Sequence, residues 1–331
     1  MYLLERGFQW SRNLMSYEEA TEELGKQQRQ PGQAEIHAPE GVGECVCSDV
    51  YDNESVYALT DSAMDLRTPN DEKRGVITAF LGWIYGFLIY ACLRTVTVSV
   101  DYIRQGHGYY DDLPLDGEDY FFLILFPVLW FAVLSIFLKY TLRYFRLESL
   151  TARRIIVRFN RATRKVYLLR PEHLGGIRIM DWDKTEVLMD KGMSELEGTG
   201  GFVILVWDRG DGVDLQGTPT DNIEVTFVGK PTRNASELVA FWEYIRRYME
   251  DGPAAAPAPK RLINKFPWPW LSFKAAWGLD TQFLRHSRLW VFVVANLLML
   301  PAILIHAAGH WLSLLLCYEP RFPRVIEEAG R

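Results

Sequence analysis

The stretch GVITAFLGWIYGFLIYACL at residues 75–93 and the stretch YFFLILFPVLWFAVLSIFL at residues 120–138 decide the fold of this chain. Each stretch contains 19 residues and no charged side chain. At about 1.5 Å per residue, a helix of this length approaches the roughly 30 Å of a bilayer's hydrocarbon core. We therefore predict a transmembrane helical hairpin over residues 75–138.

Basic residues on both sides of the predicted hairpin indicate its orientation. Lys73 and Arg74 precede the first span, and a dense run of Lys and Arg follows the second span between residues 139 and 170. The loop that connects the spans is mainly acidic. Short segments rich in Lys and Arg remain on the cytoplasmic side of a membrane, so we expect both ends of the hairpin to face the cytoplasm.

The region before the hairpin, residues 1–74, is predicted to be cytoplasmic and partly disordered. Between residues 25 and 44 it is dominated by Gln, Pro, Gly and Glu and offers little apolar surface to bury. The first span begins too far from the N-terminus to be a cleaved signal peptide, so we expect it to remain in the mature protein. Cys45 and Cys47 lie in this region, but their spacing is not that of a zinc site. We predict no disulfide framework, no metal and no cofactor.

Beyond the second span the apolar pattern changes from continuous to alternating, which predicts a β-rich domain at residues 146–251. An amphipathic helix is predicted at the end of this domain, over residues 234–249. The residues on its apolar face are Leu238, Phe241, Trp242, Ile245 and Tyr248. The predicted strands are residues 154–160, 165–170, 176–182, 185–189, 202–207 and 223–228.

Successive strands closed by one C-terminal helix resemble the pleckstrin-homology-like bent β-barrel, in which that helix plugs an open end of the sheet. The phrase FNRATRKVY at residues 159–167, together with DWD at residues 181–183, is also similar to an uncharacterised family of bacterial membrane proteins. Those proteins carry a transmembrane hairpin ahead of such a domain and are often encoded near type VI secretion effector genes. The resemblance implies a membrane α-helical hairpin plus an α+β domain in the bacterial inner membrane, with an accessory or immunity role. It transfers no catalytic residue.

A pleckstrin-like fold suggests that the turn of the first strand pair binds a lipid headgroup. Arg161, Arg164 and Lys165 lie in that turn and are our candidate headgroup-binding residues. The alternative is that a basic segment next to a membrane span follows from topology alone and contacts anionic lipid without a specific pocket.

The C-terminal part begins with a Pro/Ala linker at residues 252–265, followed by an interfacial and transmembrane segment at residues 266–318 and a tail at residues 319–331. Trp268, Trp270 and Trp277 suit the headgroup layer of a membrane, which we favour over the alternative that they cap the barrel as ordinary packing. The apolar run at residues 289–317 is 29 residues long, with Pro301 near its centre. Two interpretations fit this length: one tilted or kinked span, which we favour, and a shallow hairpin that dips in and returns at Pro301.

His306 and His310 share one face of this last segment if it is helical. Histidines within a membrane segment suggest a metal or proton role. Further ligands are missing nearby, so we favour the alternative that the rings are solvated or bonded to neighbouring helices.

Motifs typical of hydrolases, nucleotide-binding proteins and zinc proteases are absent from the sequence, so we predict no catalytic residue and no enzymatic activity. Residues 139–252 contain 18 Lys and Arg against 17 Asp and Glu, a balance that does not favour nucleic-acid binding. The expected partners are membrane lipids and a protein such as a secretion effector, bound by a cytosolic module on a multi-pass inner-membrane anchor. The alternative function is a lipid-sensing scaffold that binds anionic headgroups through the basic turn.

Overall fold

The computed structural model describes residues 39, 41–69, 74–107, 114–189, 201–232, 235–277, 294 and 297–329. The chain divides into two compact units, each made of segments that are distant in sequence. We call the first the sheet unit, which comprises Met1–Lys73, Thr151–Pro267 and Cys317–Arg331. The second is the helical unit, which comprises Arg74–Leu150 and Trp268–Leu316. Both segments of the helical unit are therefore insertions into the sheet unit.

The helical unit contains two helices that are long and apolar enough to cross a membrane, α1 (Val76–Gln105) and α2 (Gly117–Phe145). The predicted helical hairpin is confirmed at this level, and both helices are longer than the apolar stretches that predicted them. Helix α1 continues through the start of the predicted loop and ends at Gly106, whose φ of 72° is readily adopted by glycine. Helix α2 begins with a capping box, in which Asp116 and Asp119 each accept the other's backbone N–H.

Aromatic and hydroxyl side chains hold α1 against α2. The Tyr85 and Thr141 hydroxyls are 2.8 Å apart. The Tyr85 ring meets the rings of Phe137 and Phe145 edge to face, with both centroid distances at 5.3 Å. The outward faces of both helices carry many exposed large apolar side chains, the surface expected for contact with lipid.

The described part of the helical unit also contains two shorter helices, α4 (Pro269–Trp277) and α5 (Leu300–Leu315). Pro301 lies in the first turn of α5, where its missing N–H has no intrahelical partner to lose. Leu297 and Leu298 are also helical, and a turn at Met299 separates them from α5.

The sheet unit contains two antiparallel sheets. The six-stranded sheet has the order β1-β2-β3-β4-β5-β8, and the three-stranded sheet has the order β6-β7-β9. Six of the nine strands in the described residues were predicted, each to within two residues at either end, because their apolar alternation is a local signal. The strands are β1 (Val56–Leu59), β2 (Ala63–Arg67), β3 (Ile156–Asn160), β4 (Lys165–Leu169), β5 (Arg178–Asp181), β6 (Glu186–Met189), β7 (Val203–Trp207), β8 (Gly212–Val213) and β9 (Glu224–Val228).

Strands β1 and β2 lie before the helical hairpin, in the region predicted as an N-terminal, partly disordered segment. Strand β2 pairs with β3, from Ala63 opposite Asn160 to Arg67 opposite Ile156. The whole α1–α2 hairpin thus connects two adjacent strands of one sheet. Of residues 25–44, where disorder was predicted, residues 25–38 and 40 lie outside the described part of the chain.

Helix α3 (Ala235–Glu250) packs its predicted apolar face into the core, and all five residues of that face are fully buried. At the centre of the core, the Trp182 ring stacks on Trp242 at 5.7 Å and meets the Phe159 ring edge to face at 5.8 Å. The predicted α+β class of this unit is confirmed. Its described strands do not join into one closed barrel, because they pair as two separate sheets.

A short C-terminal helix, α6 (Arg324–Glu328), follows the return of the chain to the sheet unit. Together with residues just before it, α6 covers the outer face of the six-stranded sheet. This outer cluster consists of Tyr57, Ile156, Tyr167, Leu169, Phe322 and Ile326.

Candidate functional site

The basic turn between β3 and β4 contains the three predicted headgroup-binding residues. The Asn160 side chain accepts the Thr163 backbone N–H at 3.0 Å, and Arg164 adopts a left-handed φ of 51°. The Arg164 guanidinium pairs with Asp183 and, at 2.9 Å, with Glu250 at the end of α3. Lys165 pairs with Asp181.

Arg161, the remaining basic residue of the turn, lies against the C-terminal end of α3. A Cβ added to Gly252 would lie 3.3 Å from the Arg161 guanidinium. A cation at this position interacts favourably with the helix dipole. Of the three predicted headgroup ligands, Arg164 and Lys165 therefore already have acidic partners within the sheet unit, and Arg161 lies beside the end of α3.

The acidic partners of Arg164 are held in their ionised form. Hydrogen bonds from Arg164 lower the pKa of Asp183 below its usual range. Burial would raise the pKa of Glu250, but hydrogen bonds from Arg164 and Trp182 outweigh that effect and lower it. The same two carboxylates raise the pKa of Arg164. The charges of Arg164 and Lys165 are thus balanced within the sheet unit, and a phosphate would have to compete with their acidic partners.

The two sequence motifs on which the family resemblance rests contact each other in the structure. Residues 159–167 supply Phe159, Arg164 and Lys165, while residues 181–183 supply Asp181, Trp182 and Asp183. These residues form two ion pairs and one edge-to-face ring contact. In addition, the Trp182 indole N–H donates to Glu250 at 2.6 Å. The shared phrase therefore has a structural role, since it joins β3, β4, β5 and α3.

An N-terminal segment, residues 41–52, lies along α3 and buries the Glu243 carboxylate. Glu243 accepts hydrogen bonds from Arg246, at 2.8 Å, and from Arg247, at 2.8 Å. The Cys45 thiol is 3.4 Å from the same carboxylate, and Arg247 donates to the Ser48 carbonyl at 2.7 Å. The described residues contain no group of three potential metal ligands, and His37 lies outside them.

The predicted interface tryptophans lie at and within α4. Trp268 and Trp270 are 54% and 69% exposed, and Trp277 is half-buried. Trp270 stacks on Phe273 at 5.5 Å, and Phe273 contacts Trp277 at 5.6 Å. We call these three rings the aromatic ladder; they form one continuous face of α4.

A buried polar cluster joins the ends of α1 and α2 and was not predicted from the sequence. Glu148, just after α2, accepts hydrogen bonds at 2.9 Å from the backbone N–H groups of Gly75 and Thr78 at the start of α1. Arg74 donates to the Glu148 carbonyl at 2.9 Å. A carboxylate at a helix N-terminus is stabilised by the orphan N–H groups and by the helix dipole.

Helices α4 and α5 are bonded to this same cluster. Ser313 donates to the Glu148 carbonyl at 2.7 Å, and His306 donates to the Arg74 carbonyl at 3.2 Å. His310 and Ser272 share a hydrogen bond of 2.9 Å. Both histidines are therefore hydrogen-bonded within the helical unit. This agrees with the predicted alternative in which the rings bond to neighbouring helices. The available sequence signal was Glu148, a rare acidic residue in the basic flank of the second span.

The outer face of the three-stranded sheet carries a separate apolar cluster, made by alternate residues of its strands. We call it the outer apolar face. Four of its residues are at most 7% exposed, so the centre of the cluster is buried and only its rim is accessible for binding. Phe202 and Phe227 are only partly buried and meet edge to face at 5.9 Å. The cluster consists of Leu188, Phe202, Ile204, Val206, Ile223, Val225 and Phe227.

A family model with the description "Family of unknown function (DUF6708)" matches residues 131–331. The match begins within α2 and covers everything that follows, including β3 to β9 and the C-terminal helices. Comparisons with curated proteins and with solved structures found no match.

Proposed function

The chain belongs to the DUF6708 family, whose function is unknown, and we propose that it is a non-enzymatic protein that presents a protein-binding module at a membrane. In this proposal α1 and α2 are spans of a multi-pass protein of the bacterial inner membrane. The sheet unit faces the cytoplasm, because the basic flanks of both spans favour that side. The two sheets with α3 in their core support a pleckstrin-homology-like module.

The observation that carries this proposal is the outer apolar face. Partly exposed aromatic side chains on an apolar patch are typical of the anchors that dominate protein interfaces. Phe202 and Phe227 lie on a rigid sheet, so little order has to be gained on binding. We propose that this face binds a type VI secretion effector or its carrier, in an immunity or accessory role.

The geometry of the basic turn favours protein binding over headgroup sensing. A headgroup phosphate would have to displace Asp183, Glu250 and Asp181 from Arg164 and Lys165. Glutamate in place of Arg164 or Lys165 would put like charges together and disrupt the fold, so substitution by glutamine is the better test. We expect Arg164→Gln with Lys165→Gln to leave the anionic lipid retained by the full-length protein unchanged, measured by native mass spectrometry.

The experiment that tests the proposed function is affinity capture from the native host with three forms of the full-length protein. These are the wild type, a Phe202→Ala, Phe227→Ala variant, and a Val325→Ala control whose side chain is exposed on the tail. We expect a secretion effector or its carrier to co-purify with the wild type and the control, and to be lost from the double variant. Retention of anionic lipid without any protein would overturn the proposal. Equal capture by all three forms would remove the outer apolar face as the binding site.

A further inference from the structure

The C-terminal tail of the chain is an integral part of the sheet unit. Phe322 and Ile326 pack against the outer face of the six-stranded sheet. The Phe322 ring lies 4.0 Å from the Arg158 guanidinium on β3. At the end of the tail, the Asn160 side chain donates to the Ala329 carbonyl at 2.7 Å. The tail must therefore lie on the same side of a membrane as the sheet that it covers.

Arg153 donates hydrogen bonds to the chain both where it leaves the sheet unit and where it re-enters it. Its guanidinium donates to the Lys265 carbonyl at 2.9 Å and to the Cys317 carbonyl at 3.1 Å. Its backbone N–H donates to the Tyr318 carbonyl at 2.8 Å. Residues 268–316 thus begin and end beside one side chain, which is incompatible with a single crossing of a membrane.

The length of this segment also excludes two full crossings. Two spans need about 40 predominantly apolar residues, and the apolar run at residues 289–317 has 29. The preceding residues include Lys274, Asp280, Arg285 and Arg288.

Helices α4 and α5 make their contacts within the helical unit on one side and carry exposed apolar side chains on the other. On their inner side they are joined by Ser272 and His310, and α5 packs tightly on α1 at Gly309. On their outer side, Leu304, Ile305 and Leu312 of α5 are exposed. The aromatic ladder of α4 adds amphipathic rings, which favour the headgroup level of a bilayer.

From these observations we infer that α4 and α5 form a re-entrant lipid-binding element, so that the chain enters and leaves the bilayer on the face that carries the sheet unit. Its partner is the lipid of that leaflet, contacted by the apolar side of α5 and by the aromatic ladder. This inference rests on the proposed membrane location, and it replaces the single kinked span favoured from the sequence.

The test uses full-length protein in which the native cysteines at positions 45, 47, 92 and 317 are replaced by serine. Single cysteines are then placed at Glu118, Gln216, Leu298 and Val325, and a membrane-impermeant maleimide is added to intact cells or to inverted vesicles. Leu298 and Val325 are 78% and 77% exposed, so a missing reaction reflects the membrane and not the protein.

We expect the cysteines at Gln216 and Val325 to react from the same side and the one at Glu118 from the opposite side. The cysteine at Leu298 should be at least tenfold less reactive than that at Glu118 from the Glu118 side. Reaction of Gln216 and Val325 from opposite sides, or fast reaction of Leu298 from the Glu118 side, would overturn the inference. A fully reversed pattern, with Gln216 and Val325 reacting only in intact cells, would refute the proposed cytoplasmic orientation and leave the inference standing.

A second measurement needs no cysteine replacement. A fluorescent protein fused after Arg331 folds in the cytoplasm, whereas alkaline phosphatase fused there is active only outside. The inference predicts the same reporter result for this position as for an insertion at Gln216. Opposite results at the two positions would overturn it.

Discussion

The Arg158 guanidinium on β3 donates two hydrogen bonds, at 2.6 and 2.8 Å, to the carboxylate of Asp65 on β2, 93 residues away in sequence. The two residues are directly opposite each other in the strand register. Their side chains are only 15% and 7% exposed. On its other side, the Arg158 guanidinium contacts the Phe322 ring. One side chain therefore joins the segment before the helical hairpin to the tail at the end of the chain.

Removal of either partner of this pair should destabilise the sheet unit. Loss of one partner of a largely buried ion pair costs about 3 kcal/mol, because the remaining charge stays desolvated. Asp65→Ala and Arg158→Ala should each lower the melting temperature in detergent by roughly 6–12 °C. The double variant should lose less than the sum of the two, and Asp61→Ala, at an exposed neighbouring position, should change little. Additive losses would contradict the coupling.

Residues 151–267 joined by a short linker to the tail at residues 317–331 should fail to fold, because β3 would become an exposed edge strand without β2. A chain in which residues 41–69 are added before residue 151 through a further short Gly/Ser linker should be soluble and give dispersed amide resonances. A short linker can replace the helical hairpin, because the Thr68 N–H donates to the Ile155 carbonyl at 3.3 Å. Equal solubility of both shortened chains would argue against an essential β2–β3 pairing.

Gly309→Ala should weaken the packing of α5 on α1. An added Cβ would lie 2.4 Å from the Gly75 carbonyl oxygen and 2.8 Å from the Ala79 Cβ. Overpacking of this kind costs about 1–3 kcal/mol, so the apparent melting temperature should fall. Gly86→Ala on α1 is the matched control, because nothing lies within 4 Å of its added Cβ. Similar melting temperatures for both variants would show that the close approach is dispensable.

The contribution of Arg164 to stability should disappear in acid. The pKa values of Asp183 and Glu250 are lowered in the folded state, so their ionic contacts stabilise the fold above their unfolded pKa values of about 4. This stabilisation is lost as the pH falls through the folded pKa values. Arg164→Gln should therefore lower the melting temperature near pH 7 and have a smaller effect near pH 3.

The left-handed backbone at position 164 does not affect the comparison of melting temperatures, because any strain introduced by glutamine is the same at both pH values. Lys184→Gln provides the control, since its partner Asp211 forms an exposed pair of little expected value. A pH-independent loss in Arg164→Gln would mean that the ion pairs with Asp183 and Glu250 contribute little.

Local sequence patterns predicted most of the elements but not the way in which they join. Strands such as β3 and β4 and the apolar face of α3 are encoded by alternation and helical periodicity. Strands β1 and β2 were missed because the polar composition of the region before the hairpin favoured disorder over two short strands. The partner strand of β2 is β3, which follows the helical hairpin in sequence, and no local pattern predicts such a distant pairing.

The candidate sites show the same division between local and distant signals. The basic turn could be located from its composition, but the ion pairs that neutralise it could not be predicted. Asp183 and Glu250 are 19 and 86 residues away from Arg164 in sequence. Similarly, Arg74 and Glu148 were counted only as charges that flank the spans, although they are hydrogen-bonded across 74 residues.

The insertion of the helical hairpin between β2 and β3 has a consequence for biosynthesis. A ribosome adds about 5–20 residues per second, so β2 waits roughly 5–20 s before β3 is available to pair with it. In the proposed membrane location, α1 and α2 are inserted into the bilayer during that interval. A nascent chain whose hairpin is inserted incorrectly would keep β2 and β3 on opposite sides of the bilayer and would never complete the sheet. Completion of the six-stranded sheet therefore requires that both ends of the hairpin lie on one side of the bilayer.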